Sequence, residues 1–172
     1  MESKKISKSK IFCVCGIKNT GKTQLISRLV SSFDCQGYSV GVIKHDAHEY
    51  TMDHEGTDTY RYTQAGATAS IIFSNTQFSV NRKGWEKFEK MLEFCDDLDI
   101  VIVEGMKYSD FPKIEMVSDE GPLCDPETLI CKVYGDRENC KAEMDKEDPC
   151  PHFHRDDIEA IEGCIKEYFH MV

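Results

Sequence analysis

IFCVCGIKNTGKT, residues 11–23, joins the apolar stretch Ile11 to Cys15 to Gly16, four further residues, and Gly21-Lys22-Thr23. This is the G-x-x-x-x-G-K-[ST] spacing of the phosphate-binding loop, which works only between a strand and a helix. Both flanks fit. Ile11 to Cys15 is short, apolar and partly β-branched, as a buried strand is. Beyond Thr23, the residues Ile26, Leu29, Val30 and Phe33 recur at helical spacing, so a helix begins inside the loop. Gly16 and Gly21 permit backbone angles and close approach that a Cβ forbids. The turn directs successive backbone N–H groups at phosphate oxygens, helped by the positive end of the helix dipole. Lys22 reaches the β- and γ-phosphates, and the Thr23 hydroxyl is a ligand for Mg²⁺. The expected nucleotide-binding set is therefore Gly16, Ile17, Lys18, Asn19, Thr20, Gly21, Lys22, Thr23 and Gln24.

Working outward, Tyr38 to Lys44 reads as a second strand, followed by a polar loop from His45 to Gly56 that holds His45, His48 and His54. Thr57 to Ala65 reads as a short helix, with Thr57 as N-cap and Gly66 as terminator. Thr68 to Phe73 and Thr76 to Val80 read as a hairpin around Ser74-Asn75. Trp85, Phe88, Leu92 and Cys95 mark one face of an amphipathic helix. Leu98 to Val103 is the most apolar run and so a central parallel strand. Lys113 to Val117 and Thr128 to Tyr134 are weaker strands. A last helix starts at Asp156, paired with Glu159 in a capping-box variant, and buries Ile158, Ile161, Ile165 and Phe169. Strands alternating with helices define an α/β protein of the P-loop NTPase fold: a mainly parallel sheet, flanking helices and a β-hairpin. The expected organisation is one nucleotide-binding domain over residues 1–172, with a flexible basic arm at 1–9 and an acidic, Cys-rich surface insertion at 118–154.

In a parallel sheet the C-terminal strand ends share one edge, and ligands bind there. Glu104 closes the most apolar strand at that edge, where phosphate-loop proteins place a carboxylate on Mg²⁺, directly or through water. Asp99 lies at the other end of the strand, about 16 Å away at strand rise. Asp46 follows the second strand on the phosphate edge and is a further metal-shell candidate, so the metal set is Thr23, Glu104 and Asp46. The His loop matches no zinc spacing and reads as a polar loop closing over ligand or partner. Cys140, Cys150, His152 and His154 lack the close pairs of a zinc site. Cys13 and Cys15 share one face of the first strand and read as core. There is no Asn-Lys-x-Asp run to read guanine, and Lys18 sits one place later than the extra lysine of ParA/MinD-type loops. The residues leave GTP against ATP open and assign no catalytic residue. Arg61 is the nearest candidate for an arginine that stabilises phosphoryl charge.

The chain of 172 residues carries 21 Lys+Arg against 31 Asp+Glu, a net charge of -10. That balance argues against a nucleic-acid partner, which requires a basic surplus. No apolar run approaches the roughly 20 residues of a membrane helix. Nine Cys, an odd number set partly in apolar runs, suit a reduced, cytoplasmic protein.

Taken together, GIKNTGKTQLISRLV, VGVIKHDAH, DTYRYTQAGA and DIVIVEGMKYSDFPKIEM resemble the MobB family, the molybdopterin-guanine dinucleotide biosynthesis adapter proteins. The likeness covers residues 10–117 and the final helix. The K-H-x-x-H turn, R-x-x-x-A-G-A and V-E-G-x-K with P-K-I-E carry it more specifically than the phosphate loop does. The resemblance implies a GTP-binding, weakly GTP-hydrolysing homodimer with Mg²⁺, at most a slow GTPase. Its implied role is to assist the molybdenum-cofactor guanylyltransferase (MobA-like) and to serve cofactor-inserting proteins. It places the nucleotide on Gly16 to Thr23, Mg²⁺ on Glu104 and the functional edge at Lys44 to His48. Residues 118–154 depart from the pattern, and Asp136 reads as a base contact or as plain loop. The alternatives are a nickel-chaperone-like metal-insertion GTPase using the His loop or late Cys, and a small-molecule kinase or ligase of related fold.

Overall fold

Strand β1 (Lys10–Cys15) lies inside a six-stranded sheet with β2 (Val40–Lys44), β5 (Ile100–Glu104), β6 (Lys113–Met116), β7 (Leu129–Tyr134) and β8 (His152–His154). The order is β2-β5-β1-β6-β7-β8, and every neighbouring pair is parallel. The computed structural model describes residues 9–46, 53–84, 87–135 and 148–171. They fall into two units, Met1–His45 with Leu92–Val172, and Asp46–Met91.

The first unit holds the sheet. Its central strands need apolar residues on both faces, because parallel strands are covered on both. Ile100, Val101, Ile102 and Val103 are accordingly all fully buried. On one face, helix α1 (Lys22–Cys35) contributes Leu25, Ile26, Leu29 and Phe33. Helix α4 (Ile158–Phe169) adds Ile161 and Ile165, and both pack against Phe12, Val14, Ile100, Ile102, Ile114, Met116 and Val133. The Phe12 and Phe169 rings meet at 6.3 Å between centroids. On the other face stand the alternate residues Cys13, Cys15, Val101, Val103, Lys113 and Glu115, all buried.

Two of these are charged and were not anticipated from the sequence. Lys113 donates to the carbonyls of Ser109 and, at 2.7 Å, Phe111. Glu115 accepts from the backbone N–H groups of Leu123 and Cys124 at 2.8 and 3.1 Å. A buried charge needs such partners, and here they fasten the segments that follow β5 and β6 over this face.

The second unit contains α2 (Asp58–Gln64) and the antiparallel pair β3 (Ala69–Phe73) and β4 (Phe78–Arg82). Thr57 caps α2 by accepting from Tyr60 N–H, and Gly66 follows its end at φ 104, as expected. The hairpin turn is longer than Ser74-Asn75. Ser74 Oγ accepts from the N–H groups of Thr76 and Gln77, which moves β4 two residues on from the expected start at Thr76. Helix α3 (Phe88–Leu92) passes into a 3-10 turn at Glu93–Cys95. Phe88, Leu92 and Cys95 lie half-buried on the expected face, and Trp85 falls outside the described residues.

Two expectations change. The cap of α4 is Asp157, which accepts from Ala160 N–H, whereas Asp156 turns to Arg28 at 2.5 Å. Residues 118–154 are not only a surface insertion: besides β7, expected over Thr128 to Tyr134, they supply β8 and the buried Cys124 and Cys131. The run His152-Phe153-His154 is too short for a period-2 signal, which hid β8 from sequence reading. Residues 1–8 of the basic arm, His48, Asp136 and Cys140 lie outside the described residues.

Candidate functional site

The parallel sheet brings the ends of β1, β2 and β5 to one edge, with Val14 and Lys44 in register on either side of Glu104. β1 ends at Cys15, and the loop from Gly16 leads straight into α1 at Lys22. Gly16 is required by space: a Cβ there would lie 2.8 Å from both Met116 Cβ and Thr20 Oγ1. Gly21 caps α1 at φ 92, in the left-handed region that favours glycine. Asn19 is also left-handed, at φ 65, a conformation Asn tolerates better than most residues. Thr20 Oγ1 donates to the Ile17 carbonyl at 2.9 Å and closes the turn.

Lys22 lies across this loop, with Nζ donating to the carbonyls of Gly16 at 3.0 Å and Ile17 at 2.6 Å. Its ammonium is thus held against the loop's own carbonyls. Thr23 Oγ1 donates to both Glu104 oxygens, at 3.2 and 3.1 Å. A hydroxyl from the loop and a carboxylate from a strand 81 residues away in the chain therefore meet at one point beside the phosphate loop. Hard oxygen donors of this kind suit Mg²⁺, which keeps most of its waters and takes only one or two protein groups. The donor set fits the ion.

The turn after β5 is tied to its neighbours. His45 N–H donates to Glu104 O at 3.0 Å, Gly105 N–H to Val14 O at 3.0 Å, and Cys15 Sγ to Gly105 O at 3.1 Å. Gly105 is left-handed at φ 106, and a Cβ there would come within 3.3 Å of the His45 carbonyl oxygen. These contacts fix the height of the Glu104 carboxylate above the sheet edge. Cys15, read as core, is buried and also fastens the site. Burial pushes the neighbouring Cys13 thiol up from its ordinary value, against the lowering effects of Ser109 and Lys113, so it is a poor nucleophile.

The other sequence candidates are placed as follows. Ile17 is half-buried, and Lys18, Asn19 and Gln24 are exposed along the loop and first helical turn. Asp46 is exposed, two residues beyond the end of β2. Asp99, at the far end of β5, accepts from the Ser39 hydroxyl at 2.7 Å and its N–H at 2.8 Å, which hold its carboxyl below the usual range. In the second unit, Asp53 accepts from the hydroxyls of Thr57 and Thr59 and caps the turn before α2. Arg61 pairs with Asp58 on the exposed face of that helix. Among the described residues no group of three His, Cys, Asp or Glu side chains is disposed to hold a metal. The eight cysteines among them are free, and no described helix is long and apolar enough to cross a membrane.

One residue near the loop escaped sequence reading. Arg155, just beyond β8, places Nη1 4.0 Å from where a Cβ on Gly21 would stand. Only the unrecognised strand β8 carries it there.

Comparison with known proteins bears on the family and the fold. The family signature described as "Molybdopterin guanine dinucleotide synthesis protein B" matches residues 11–132. A probable molybdopterin-guanine dinucleotide biosynthesis adapter protein of Bacillus subtilis is 29% identical over 161 residues, 90% of each chain. The adapter protein of Escherichia coli is 32% identical over 117 residues, 64% of this chain and 66% of that one. The crystal structure of Bacillus subtilis MobB superposes with a TM-score of 0.75 at 24% identity, covering 95% of this chain and 98% of that one. That likeness speaks for the fold, while the signature spans most of the sheet and both halves of the loop-to-Glu104 constellation. The chain belongs to the molybdopterin guanine dinucleotide synthesis protein B family.

Proposed function

We propose that this protein is a GTP-binding adapter in molybdenum-cofactor biosynthesis, binding Mg·GTP at the β1–α1 loop and assisting a guanylyltransferase that completes the dinucleotide form of the cofactor. The observation that carries the nucleotide reading is the meeting of Thr23 and Glu104, at 3.1–3.2 Å, beside the Lys22 ammonium. A strand-to-helix turn with no ligand has no need of a lysine and a hydroxyl–carboxylate pair converging on one side of it. The residues from Gly16 to Gln24 would cradle the phosphates, with Thr23 and Glu104 holding Mg²⁺. The adapter role rests on family membership and on the names its relatives carry. In the same reading the protein is cytoplasmic, a slow GTPase at most, and a homodimer. The hairpin favours the last point: Ile71, Phe73 and Phe78 are 63%, 81% and 60% exposed, a cluster that a lone two-stranded sheet keeps in water poorly.

Titration with GTP and with ATP in the presence of Mg²⁺ tests the proposal, with Lys22→Ala as control. GTP should bind at least about tenfold more tightly than ATP, a gap of about 1.4 kcal/mol. The substitution should cost roughly 10- to 100-fold in affinity, the worth of a charge-assisted contact, with the circular dichroism spectrum unchanged. Equal binding of both nucleotides overturns the guanine assignment, and unchanged affinity in Lys22→Ala removes the site from this loop.

A further inference from the structure

Arg155 is anchored beside the loop between β1 and α1. It follows β8, and its N–H donates to the carbonyl of Tyr134, the last residue of β7, at 2.8 Å. Its own carbonyl accepts from Arg28 Nη1 of α1 at 3.1 Å, and Arg28 is clamped in turn on Asp156 Oδ1 at 2.5 Å and Asp156 O at 3.1 Å. The backbone of Arg155 is therefore pinned to both β7 and α1. From there the side chain runs back over the end of β7 towards the phosphate loop. A Cβ on Gly135 would meet Arg155 Nη1, Cδ and Cζ at 3.6, 3.8 and 3.9 Å, and one on Gly21 would lie 4.0 Å from Nη1. Two glycines thus form the floor beneath the guanidinium, and no side chain of theirs lifts it away from the loop.

The sheet order decides which end of a nucleotide this group meets. Glu104, with Thr23, lies on the β5 side of β1, whereas β7 and β8 lie on the other side, beyond β6. Lys22 and the Thr23–Glu104 pair define where the terminal phosphates and their cation sit. A nucleotide with its cation on the β5 side extends its nucleoside along the strand ends towards β7 and β8, the crevice in which open α/β sheets hold ligands. We propose that Arg155 is a binding residue for the nucleoside half: its guanidinium lies against the purine and, with the ends of β7 and β8, forms the base-side wall of the site. A planar, weakly hydrated cation suits the face of an aromatic ring better than an ammonium does. The inference rests on the nucleotide-binding reading of the loop.

Competition titrations against a fluorescent GTP separate the two, using Mg·GTP and Mg·tripolyphosphate as ligands for the wild-type protein, Arg155→Ala, Arg155→Lys and Lys22→Ala. Arg155→Ala should weaken GTP roughly 5- to 30-fold while tripolyphosphate changes by less than about twofold, since a cation–ring contact has no counterpart in a ligand without a base. Arg155→Lys, which keeps the charge and the stem, should recover only part of the loss. Lys22→Ala should weaken both ligands by the same roughly 10- to 100-fold. Equal weakening of GTP and tripolyphosphate by Arg155→Ala would show that Arg155 acts on phosphates or on the fold, and would overturn the inference. So would unaltered GTP affinity in Arg155→Ala. A wild-type protein that binds neither ligand would instead sink the phosphate-site reading, and the role of Arg155 with it.

Discussion

Glu104 carries two jobs that its surroundings separate. Its backbone is part of the ladder, accepting from His45 N–H at 3.0 Å, while its carboxylate leaves the sheet to meet the Thr23 hydroxyl. Changing the side chain should therefore leave the strand intact. Glu104→Gln keeps the shape and the hydrogen bond to Thr23 but removes the charge that a hard divalent cation prefers. The concentration of Mg²⁺ needed for half-maximal GTP binding should rise roughly tenfold, the range seen when a group near a metal is altered, with Mg²⁺-free binding little changed. Magnesium titrations at fixed nucleotide read this directly. A variant that responds to Mg²⁺ as the parent does would shift the metal role to Asp46. The same separation applies to Lys113 and Glu115 of the P-K-I-E run. Their full burial and backbone partners give them the task of holding two covering segments.

Helices α1 and α4 show the same economy at the scale of elements. They share a core face, and one polar contact fixes their relative height: Glu162, 7% exposed, accepts from Ser32 at 2.5 Å, Gln36 at 2.8 Å and Lys166 at 2.8 Å. Burial alone would raise the Glu162 carboxyl, but the bonds from Lys166, Ser32 and Gln36 outweigh it and hold the group below the usual glutamate range. A depressed folded-state pKa adds stability above the unfolded value, about 4.3 for Glu, and that stability is lost as pH falls through the folded value. Glu162→Gln should thus cost about 1.5–3 kcal/mol near neutral pH, the worth of a charged hydrogen-bond acceptor. The gap from the parent should close in denaturant titrations run progressively below about pH 4. A gap that stays constant with pH would mean the carboxylate is not the source. Elements of this size were legible in the sequence because their apolar spacing is long enough to repeat: α1, the β5 run and the stripe of α4 all stand where periodicity puts them. β8 was not, since three residues cannot show a period, and with it the sequence hid Arg155. Nor does spacing tell which of two adjacent aspartates caps a helix when a distant arginine, here Arg28, claims one of them.

At the scale of the whole molecule, one parallel sheet brings the β1–α1 loop, Glu104 and Arg155 to the C-terminal ends of its strands, from segments spread between Gly16 and Arg155. The engagements of the arginines bear on rate. Fast phosphoryl transfer needs a group that orients the attacking water and usually an arginine on the transferring phosphoryl, worth on the order of 10³- to 10⁵-fold. Arg61 is engaged with Asp58 on an exposed helix face, and Arg28 with Asp156. Arg155 follows β8, which lies on the opposite side of β1 from β5. No arginine is thereby assigned to the terminal phosphate. Single-turnover hydrolysis of GTP by the isolated protein should accordingly run far below about 1 s⁻¹, near the roughly 10⁻⁴ to 10⁻² s⁻¹ of unassisted phosphate-loop proteins. For an adapter that slowness is useful, because the GTP-bound state then lasts long enough for a partner to read it. Adding a molybdenum-cofactor guanylyltransferase should change the lifetime of that state, observed as a changed hydrolysis or GTP-release rate in the same single-turnover mixture. Turnover above about 1 s⁻¹ by the protein alone would place a complete catalytic set on this chain and sink the adapter reading.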